Sequence, residues 1–549
     1  MKQKTSLYAF LWLALATVIL MFALTQVGTR MSLAQISILP TQTWTPQPGS
    51  TSTPTPTFTP TPVATPLPTG YDPCLVKAFH YDFGLGNLYD LTPIGDRIVF
   101  VAAAGSGSWV WTTDGTSAGT TLLTDSVTGS AMRAPAELTV VGDRLFFLTG
   151  VTDLPAPSGR KLWVTNGTSA GTTLVKDFFE SIETGQSYTR NLAAVGDRLF
   201  LMTGDGTDYL KLWVSDGTEA GTVVIKDLEA GVPLFETVSY VTYNGLLFFV
   251  GGEKTLGGEL WVTDGTAAGT TMVKDIDPGS WSSWPKYLTV FNGLLYFSAS
   301  DGSYGRELWV TDGTEAGTTL LVDINPGFGS SNPEELVVLG NRLFFRATND
   351  SIQNEELWVT DGTVAGTVLV KDINPGNWGS RPSDFAPLGG RLFFRANDGI
   401  YGDELWATDG TPEGTILVKD IYPGADSSGP RHLAAYDGRL FFAANDEFYA
   451  QGFWGELWMT DGTAQGTVLV KDLQLGWLGS EPAHFTLFGN QLVFGARDGI
   501  YTRNLWIIGP TCAPSPPVAN DDSYGTTEDT PLAGIFTPII VITTATLRC

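Results

Sequence analysis

One phrase of the form ELWVTDGTxAGTxLVKDIxPG recurs nine times along this chain. Its tryptophan falls at Trp111, Trp163, Trp213, Trp261, Trp309, Trp358, Trp406, Trp458 and Trp506. The eight intervals span 395 residues, a mean of 49.4. A second phrase keeps step with it. It reads GDRIVF from Gly95, GDRLFF from Gly142 and GDRLFL from Gly196, then NGLLFF, NGLLYF, GNRLFF, GGRLFF, DGRLFF, and GNQLVF from Gly489. A fixed period of this length marks one supersecondary unit that buries its apolar faces only against the next copy.

Within a unit, apolar and β-branched runs alternate with Asn-Gly, Asp-Gly and Pro-Gly, which are strand and turn signals. The copy around Trp309 predicts strands a to d at residues 287–291, 294–299, 307–311 and 318–324. Strand b is apolar on both faces, as a central strand must be. Strand d carries a lysine in most copies, which reads as a device for blunting an exposed edge. Four antiparallel strands repeated about an axis describe an all-β propeller of about nine four-stranded blades. Composition agrees, with 64 Gly, 32 Pro, 12% aromatics and only 16% charged residues, against ~25% in an ordinary soluble protein.

The two ends of the repeat region complement each other. The last copy stops after strand c, at residues 504–508. The missing strand d is found at the start, where CLVKAF (residues 74–79) matches TLVKDF (residues 173–178). This predicts three-plus-one ring closure, with an open solenoid array as the alternative. Aligned to the fourth copy, Cys512 falls at the Ala267 position and Cys74 at the Thr271 position, within one c–d loop. A Cys74–Cys512 disulfide is therefore expected.

The chain divides into four regions. Residues 1–34 read as a targeting segment, with Lys2 and Lys4 before an apolar run at residues 7–24 and small residues at 32–34. A cleaved signal peptide is the favoured reading and a retained membrane anchor the other. Both place the remainder outside the membrane, secreted or at the cell surface. Residues 35–72 repeat Thr-Pro and predict a disordered stalk near polyproline II. Some 30 such residues reach on the order of 90 Å. Residues 73–512 form the propeller and residues 513–549 a tail. A formal charge of −26 argues against nucleic acid or an anionic membrane surface as a partner. Three Cys and three His (His80, His432, His484) leave too few ligands for a zinc site. No metal and no cofactor are expected, apart from calcium as a minor reading.

The repeat resembles the ELWxxDGTxxGT proteins, exported bacterial proteins often labelled hyalin-like, across residues 74–508. That resemblance implies export from a bacterium and says little about activity. From Pro517, PVANDDSYGTTEDTPLAG resembles the opening strand of the cadherin-like, immunoglobulin-type modules of bacterial adhesins. The 33 residues left are too few to bury a core, so the tail reads as a truncated module.

Several motif matches carry bland readings. GTSAG, at residues 115–119 and 167–171, fits the nucleophile elbow G-x-S-x-G but lies in the c–d loop, where other copies read GTEAG or GTVAG. The recurrent tryptophan predicts packing between blades and the recurrent Asp-Gly predicts turn chemistry. The acidic loops at residues 275–279 and 397–399 carry oxygen donors suited to calcium but lack dense EF-hand spacing.

Strand alternation puts the nearly invariant a–b and c–d loops on one face and the variable b–c and d–a loops on the other. Variable loops on a rigid scaffold are where binding is built. The d–a loops hold Trp281, Trp284, Phe328, Trp378 and Trp477, and the b–c loops hold Tyr304, Tyr401, Tyr449, Phe453, Trp454 and Tyr501. These are the ligand-binding candidates, for an extracellular glycan or protein. No catalytic residue is expected, since no carboxylate pair stands out from the repeat. The functional expectation is a monomeric, non-enzymatic binding or adhesion protein. The alternatives are a surface spacer and an enzyme acting on extracellular polysaccharide.

Overall fold

The computed structural model describes residues 70–79, 87–104, 107–123, 135–150, 161–178, 188–204, 209–229, 240–253, 255–349, 354–376, 378–446, 455–474, 479–499, 503–510 and 512. All belong to one compact unit, Pro66–Cys549. The leader, the rest of the stalk and the tail lie outside the described residues, and so do Tyr449, Phe453, Trp454, Trp477 and Tyr501.

Among the described residues, thirty-six strands pair antiparallel into nine four-stranded sheets, each in the order a–b–c–d, arranged as the nine blades of a β-propeller. Strands a begin blades 1 to 9 at Leu88–Ile94, Ala136–Val141, Tyr188–Val195, Tyr240–Tyr243, Lys286–Phe291, Glu334–Leu339, Ser383–Leu388, Arg431–Tyr436 and Ala483–Phe488. Blade 5 shows the pattern, with strands b to d at Leu294–Ser300, Arg306–Thr311 and Thr319–Val322. Strand d ends before residue 324 because the backbone N–H of Ile324 leaves the ladder to donate to Glu307 Oε2 at 2.9 Å.

The ring closes as the chain ends predict. Blade 9 takes Ala483–Phe488, Gln491–Arg497 and Arg503–Ile508 from one end and Cys74–Lys77 from the other, with Cys74 opposite Ile507 and Leu75 opposite Trp506. The Cys74–Cys512 disulfide joins them across 438 residues, with the Cα atoms 5.7 Å apart.

The core is distributed rather than central. Nine apolar clusters each join two neighbouring blades, and each contains the strand-c tryptophan of the second blade of its pair. Trp309, for example, packs with Phe248, Leu260 and Val273 of blade 4. The ninth cluster couples Val76, Leu505 and Ile507 of blade 9 to Phe100 and Trp111 of blade 1. No blade buries its own faces alone, so the ring is the folding unit.

The strand-d lysine does something other than the sequence suggested. Lys274, Lys371 and Lys419 donate through Nζ to Thr318, Thr415 and Thr467 carbonyls of the next blade at 2.7–2.8 Å. Lys371 and Lys419 also lie over Trp406 and Trp458 of that blade. The side chain is long enough to cross the seam, so it latches neighbouring blades instead of blunting an edge.

The TDGT phrase is turn chemistry, as expected. In blade 5, Asp312 Oδ1 accepts from the N–H and the hydroxyl of Thr314, Thr314 Oγ1 accepts from Gly317 N, and Thr311 and Thr318 share a hydroxyl hydrogen bond of 2.7 Å. The hydroxyl of Thr314 holds the Asp312 carboxyl below the usual range. Gly313 supplies the left-handed φ of 95°.

The glutamate of ELW is a second repeated fixture. Glu259, Glu307, Glu356, Glu404 and Glu456 are buried or nearly so, and each binds the d–a loop that follows its blade. In blade 5, Glu307 accepts from Ile324 N (2.9 Å), Ser331 N (2.7 Å) and Ser331 Oγ (2.5 Å). Blade 9 has Asn504 at that position, and its Oδ1 accepts from Phe79 N at 2.9 Å. The same lock thus crosses the seam between the chain ends.

Candidate functional site

The glutamate lock fixes the start of each d–a loop's return to the axis, where a fixed serine and proline frame three variable residues. The loops read Ser283-Trp284-Pro285-Lys286-Tyr287, Ser331-Asn332-Pro333-Glu334-Glu335, Ser380-Arg381-Pro382-Ser383-Asp384, Ser428-Gly429-Pro430-Arg431-His432 and Ser480-Glu481-Pro482-Ala483-His484. Serine binds the glutamate, and proline directs the chain into strand a. The residue after serine has φ of 47–55° and the last residue φ of 53–58°. Asp90, Glu137 and Asn191 occupy the last position in blades 1 to 3, at 55–62°. In eight blades the strand a–b register shifts at this residue, which marks a bulge. Left-handed backbone at non-glycine residues, repeated around the innermost strand, points to function at the axial mouth.

The variable residues there are mostly polar and linked from blade to blade. Glu335 Oε2 accepts from Asp384 N at 3.2 Å, and Asp384 Oδ1 accepts from His432 N at 3.0 Å. Glu137 does the same for Leu192 N at 3.1 Å. Burial pushes the Glu335 and Asp90 carboxyls up. The His432 and His484 imidazoles are held below their usual range, by the desolvation of the crowded mouth and then by the arginines near them, although both rings reach solvent. Carboxyls therefore recur at this inner position, at Asp90, Glu137, Glu335 and Asp384. They were hidden because they occupy positions at which the repeat has no consensus.

Between blades 6 and 7 the mouth opens into a cavity of about 670 Å³, lined by Arg346, Trp378, Arg381, Ser383, Arg395 and Asp403 among others. Arg346 pairs with Glu334, Glu335 and Glu355, and Arg395 with Asp403. Arg381 is exposed, and its guanidinium has no acidic partner among the described residues. Asn374 and Asn397 add amides to the lining.

The expected aromatic candidates divide. Trp281, Phe328 and Trp378 project from the d–a loops after blades 4, 5 and 6 with 72%, 88% and 73% exposure. Tyr304 and Tyr401 are exposed on b–c loops. Trp284 is half-buried at the axial frame, and its carbonyl accepts from Arg306 Nη1 at 2.8 Å. Of the described candidates, only Trp378 lines the cavity. The b–c and d–a loops do share a face, joined by bonds such as Gly258 N to Ser282 Oγ (2.8 Å) and Asp403 N to Ser427 Oγ (2.9 Å).

The acidic loops are turns. Asp398 Oδ1 accepts from the N–H groups of Ile400 and Tyr401, and Asp275 Oδ2 from Gly279 N. Among the described residues no group of three or more His, Cys, Asp or Glu side chains is placed to hold a metal ion. Ser117 and Ser169 of the two GTSAG matches lie in the turns after strand c of blades 1 and 2, whereas His432 and His484 lie on strands a of blades 8 and 9. No described helix is long and apolar enough to cross a membrane.

No protein-family model matches the chain, and no curated protein does. Solved structures do. The ring is similar to a prolyl endopeptidase structure (TM-score 0.39, 11% identity, 72% of this chain and 60% of that chain). It is also similar to the β-propeller domain of the Trilobed protease from Pyrococcus furiosus, which has an open velcro topology (0.35, 10%, 71% and 98%). An acylaminoacyl peptidase from Pyrococcus horikoshii is a third (0.32, 12%, 66% and 57%). The match to the first of these spans about three fifths of that chain. These likenesses concern the propeller fold alone. They correct the sequence expectation of a non-enzymatic adhesion protein, and with it the expectation of no enzymatic role.

Proposed function

We propose that this ring engages peptide chains, outside the cell, at the axial cavity between blades 6 and 7. One observation carries the reading: Trp378 stands 73% exposed at a cavity whose cations include Arg381, which has no acidic partner among the described residues. An indole offers a platform for flat, amphipathic groups, a guanidinium binds carboxylate in a fork, and Asn374 and Asn397 can donate to or accept from a peptide backbone. The support is this cavity, not the likeness to solved peptidases. The test is fluorescence anisotropy with labelled acidic decapeptides, with the peptides then checked for cleavage. Trp378→Ala and Arg381→Gln should each weaken binding about tenfold, on the order of 1.4 kcal/mol. Binding of uronic-acid oligosaccharides instead of peptides would move the assignment to polysaccharide, and no binding of either would remove it.

A further inference from the structure

The cavity between blades 6 and 7 is lined by three guanidiniums, and two of them are already neutralised from within the ring. Arg346 and Arg395 occupy the same place on strand b of blades 6 and 7, Arg342–Ala347 and Arg391–Asn397. Each is met by the carboxylate that precedes the ELW glutamate of its own blade. Glu355 Oε2 stands 3.5 Å from Arg346 Nε, and Asp403 Oδ2 accepts from Arg395 Nη2. Glu334 and Glu335 add two more carboxylates to Arg346. The other oxygen of Asp403 is also taken, because Oδ1 accepts from Asn397 Nδ2 at 3.1 Å. These ion-paired side chains are at most 35% exposed, so water and salt screen them only in part.

Arg381 is placed differently. It stands between Ser380 and Pro382, where the four comparable frames carry Trp284, Asn332, Gly429 and Glu481. Its backbone is fixed by a left-handed φ of 48° and by its N–H, which donates to Glu355 O at 3.1 Å. Its guanidinium is exposed and has no acidic partner among the described residues. Most of the other charges nearby are negative. Asp384 follows the lining residue Ser383, and Asp398 lies between the lining residues Asn397 and Gly399. Arg431 of blade 8 lies near Asp384, Glu481 and Arg395 but does not line the cavity. One cation is thus open to an incoming carboxylate. Each further negative charge would meet Asp403, Asp384, Asp398 or the glutamates on Arg346.

We infer that this cavity selects peptides presenting a single carboxylate among neutral or basic side chains, that it disfavours polyacidic chains, and that Asp403 sets the preference. The inference rests on the peptide reading above and specifies its ligand. Asp403 is a positioning residue: it acts through Arg395, whose charge it cancels, and so removes what would be a second carboxylate site. Selectivity built this way comes from a repulsive element beside the attractive one.

The test is fluorescence anisotropy of the full chain with labelled decapeptides that share one aromatic residue and carry either one Glu or four. At low ionic strength the one-Glu peptide should bind about tenfold tighter than the four-Glu peptide. Asp403→Asn releases Arg395 and should strengthen the four-Glu peptide more than the one-Glu peptide, narrowing the ratio about threefold or more. Arg395→Gln leaves Asp403 without its cation and should widen the ratio. A merely structural role would weaken both peptides together and leave the ratio where it was. Each variant is first checked for the native near-ultraviolet circular dichroism signal, and Arg395→Gln carries the result if Asp403→Asn does not fold. A four-Glu peptide that binds as tightly as the one-Glu peptide, or a ratio unmoved in the folded variants, overturns the inference and leaves the peptide reading standing. Binding of neither peptide removes both.

Discussion

The buried glutamates make the ring's stability depend on pH in a way that can be worked out at one site. Burial pushes the Glu307 carboxyl up to about 7, against the opposing pull of its donors Ser331 and Ile324. An unfolded glutamate titrates near 4.3. The folded state therefore binds the proton more tightly, and the stability this provides is full below the unfolded pKa and lost as pH rises through the folded one. Integrating the linkage relation between pH 5 and 8 gives a loss of about 2.5 kcal/mol from this one side chain. In Glu307→Gln that part of the pH dependence disappears. The variant should be less stable at pH 5 by about 1–3 kcal/mol, because the Gln amide sets a donor against one of the three N–H and O–H groups. It should also show a profile flatter by about 2.5 kcal/mol between pH 5 and 8. Urea unfolding at half-unit pH steps measures both quantities. A variant profile parallel to that of the parent protein would show that the three donors keep Glu307 ionised throughout and that burial does not dominate.

The architecture sets three further outcomes. Trp309→Ala opens the seam between blades 4 and 5 and should cost about 3–5 kcal/mol by chemical denaturation. Gly317→Ala puts a Cβ 2.1 Å from Asp312 Oδ1, so the c–d turn of blade 5 must shift, and a lowered thermal midpoint of the circular dichroism signal should report it. Cys74→Ser, or reduction of the parent protein, releases a closure of 438 residues and should destabilise by about 6 kcal/mol in the chain-entropy model, read as the shift in urea midpoint multiplied by the slope.

The repeating parts of this molecule were legible in the chain because they repeat. The nine-fold period, the strand order and the turn after strand c all derive from residues that recur, and Cys74 and Cys512 were paired by placing them on the same copy. The parts that escaped notice sit where the copies differ. Arg381, Glu481, Asp384, His432 and His484 look like scatter in an alignment of repeats, yet the serine and proline beside them hold each in one left-handed geometry at the axis. The signal was the recurrent Ser-x-Pro frame within the variable loop. The roles of the lysine and the glutamate were missed for another reason. Both act on a neighbouring element, Lys274 on Thr318 of the next blade and Glu307 on Ser331 of the following loop, and a single copy read alone has no neighbour. The aromatic loops separated only when burial was known, since Trp281 and Trp284 are three positions apart and one is exposed while the other is not.

Ring closure also decides how this chain would carry mechanical load. Residues 1–73 and 513–549 continue from the two ends joined by the Cys74–Cys512 bond. Tension applied along those two extensions passes through one covalent link, from residue 74 to residue 512. The blades between them stay slack under a force that would otherwise peel strand Cys74–Lys77 away from Arg503–Ile508. In a reducing medium the same pull would unzip the ring from its seam.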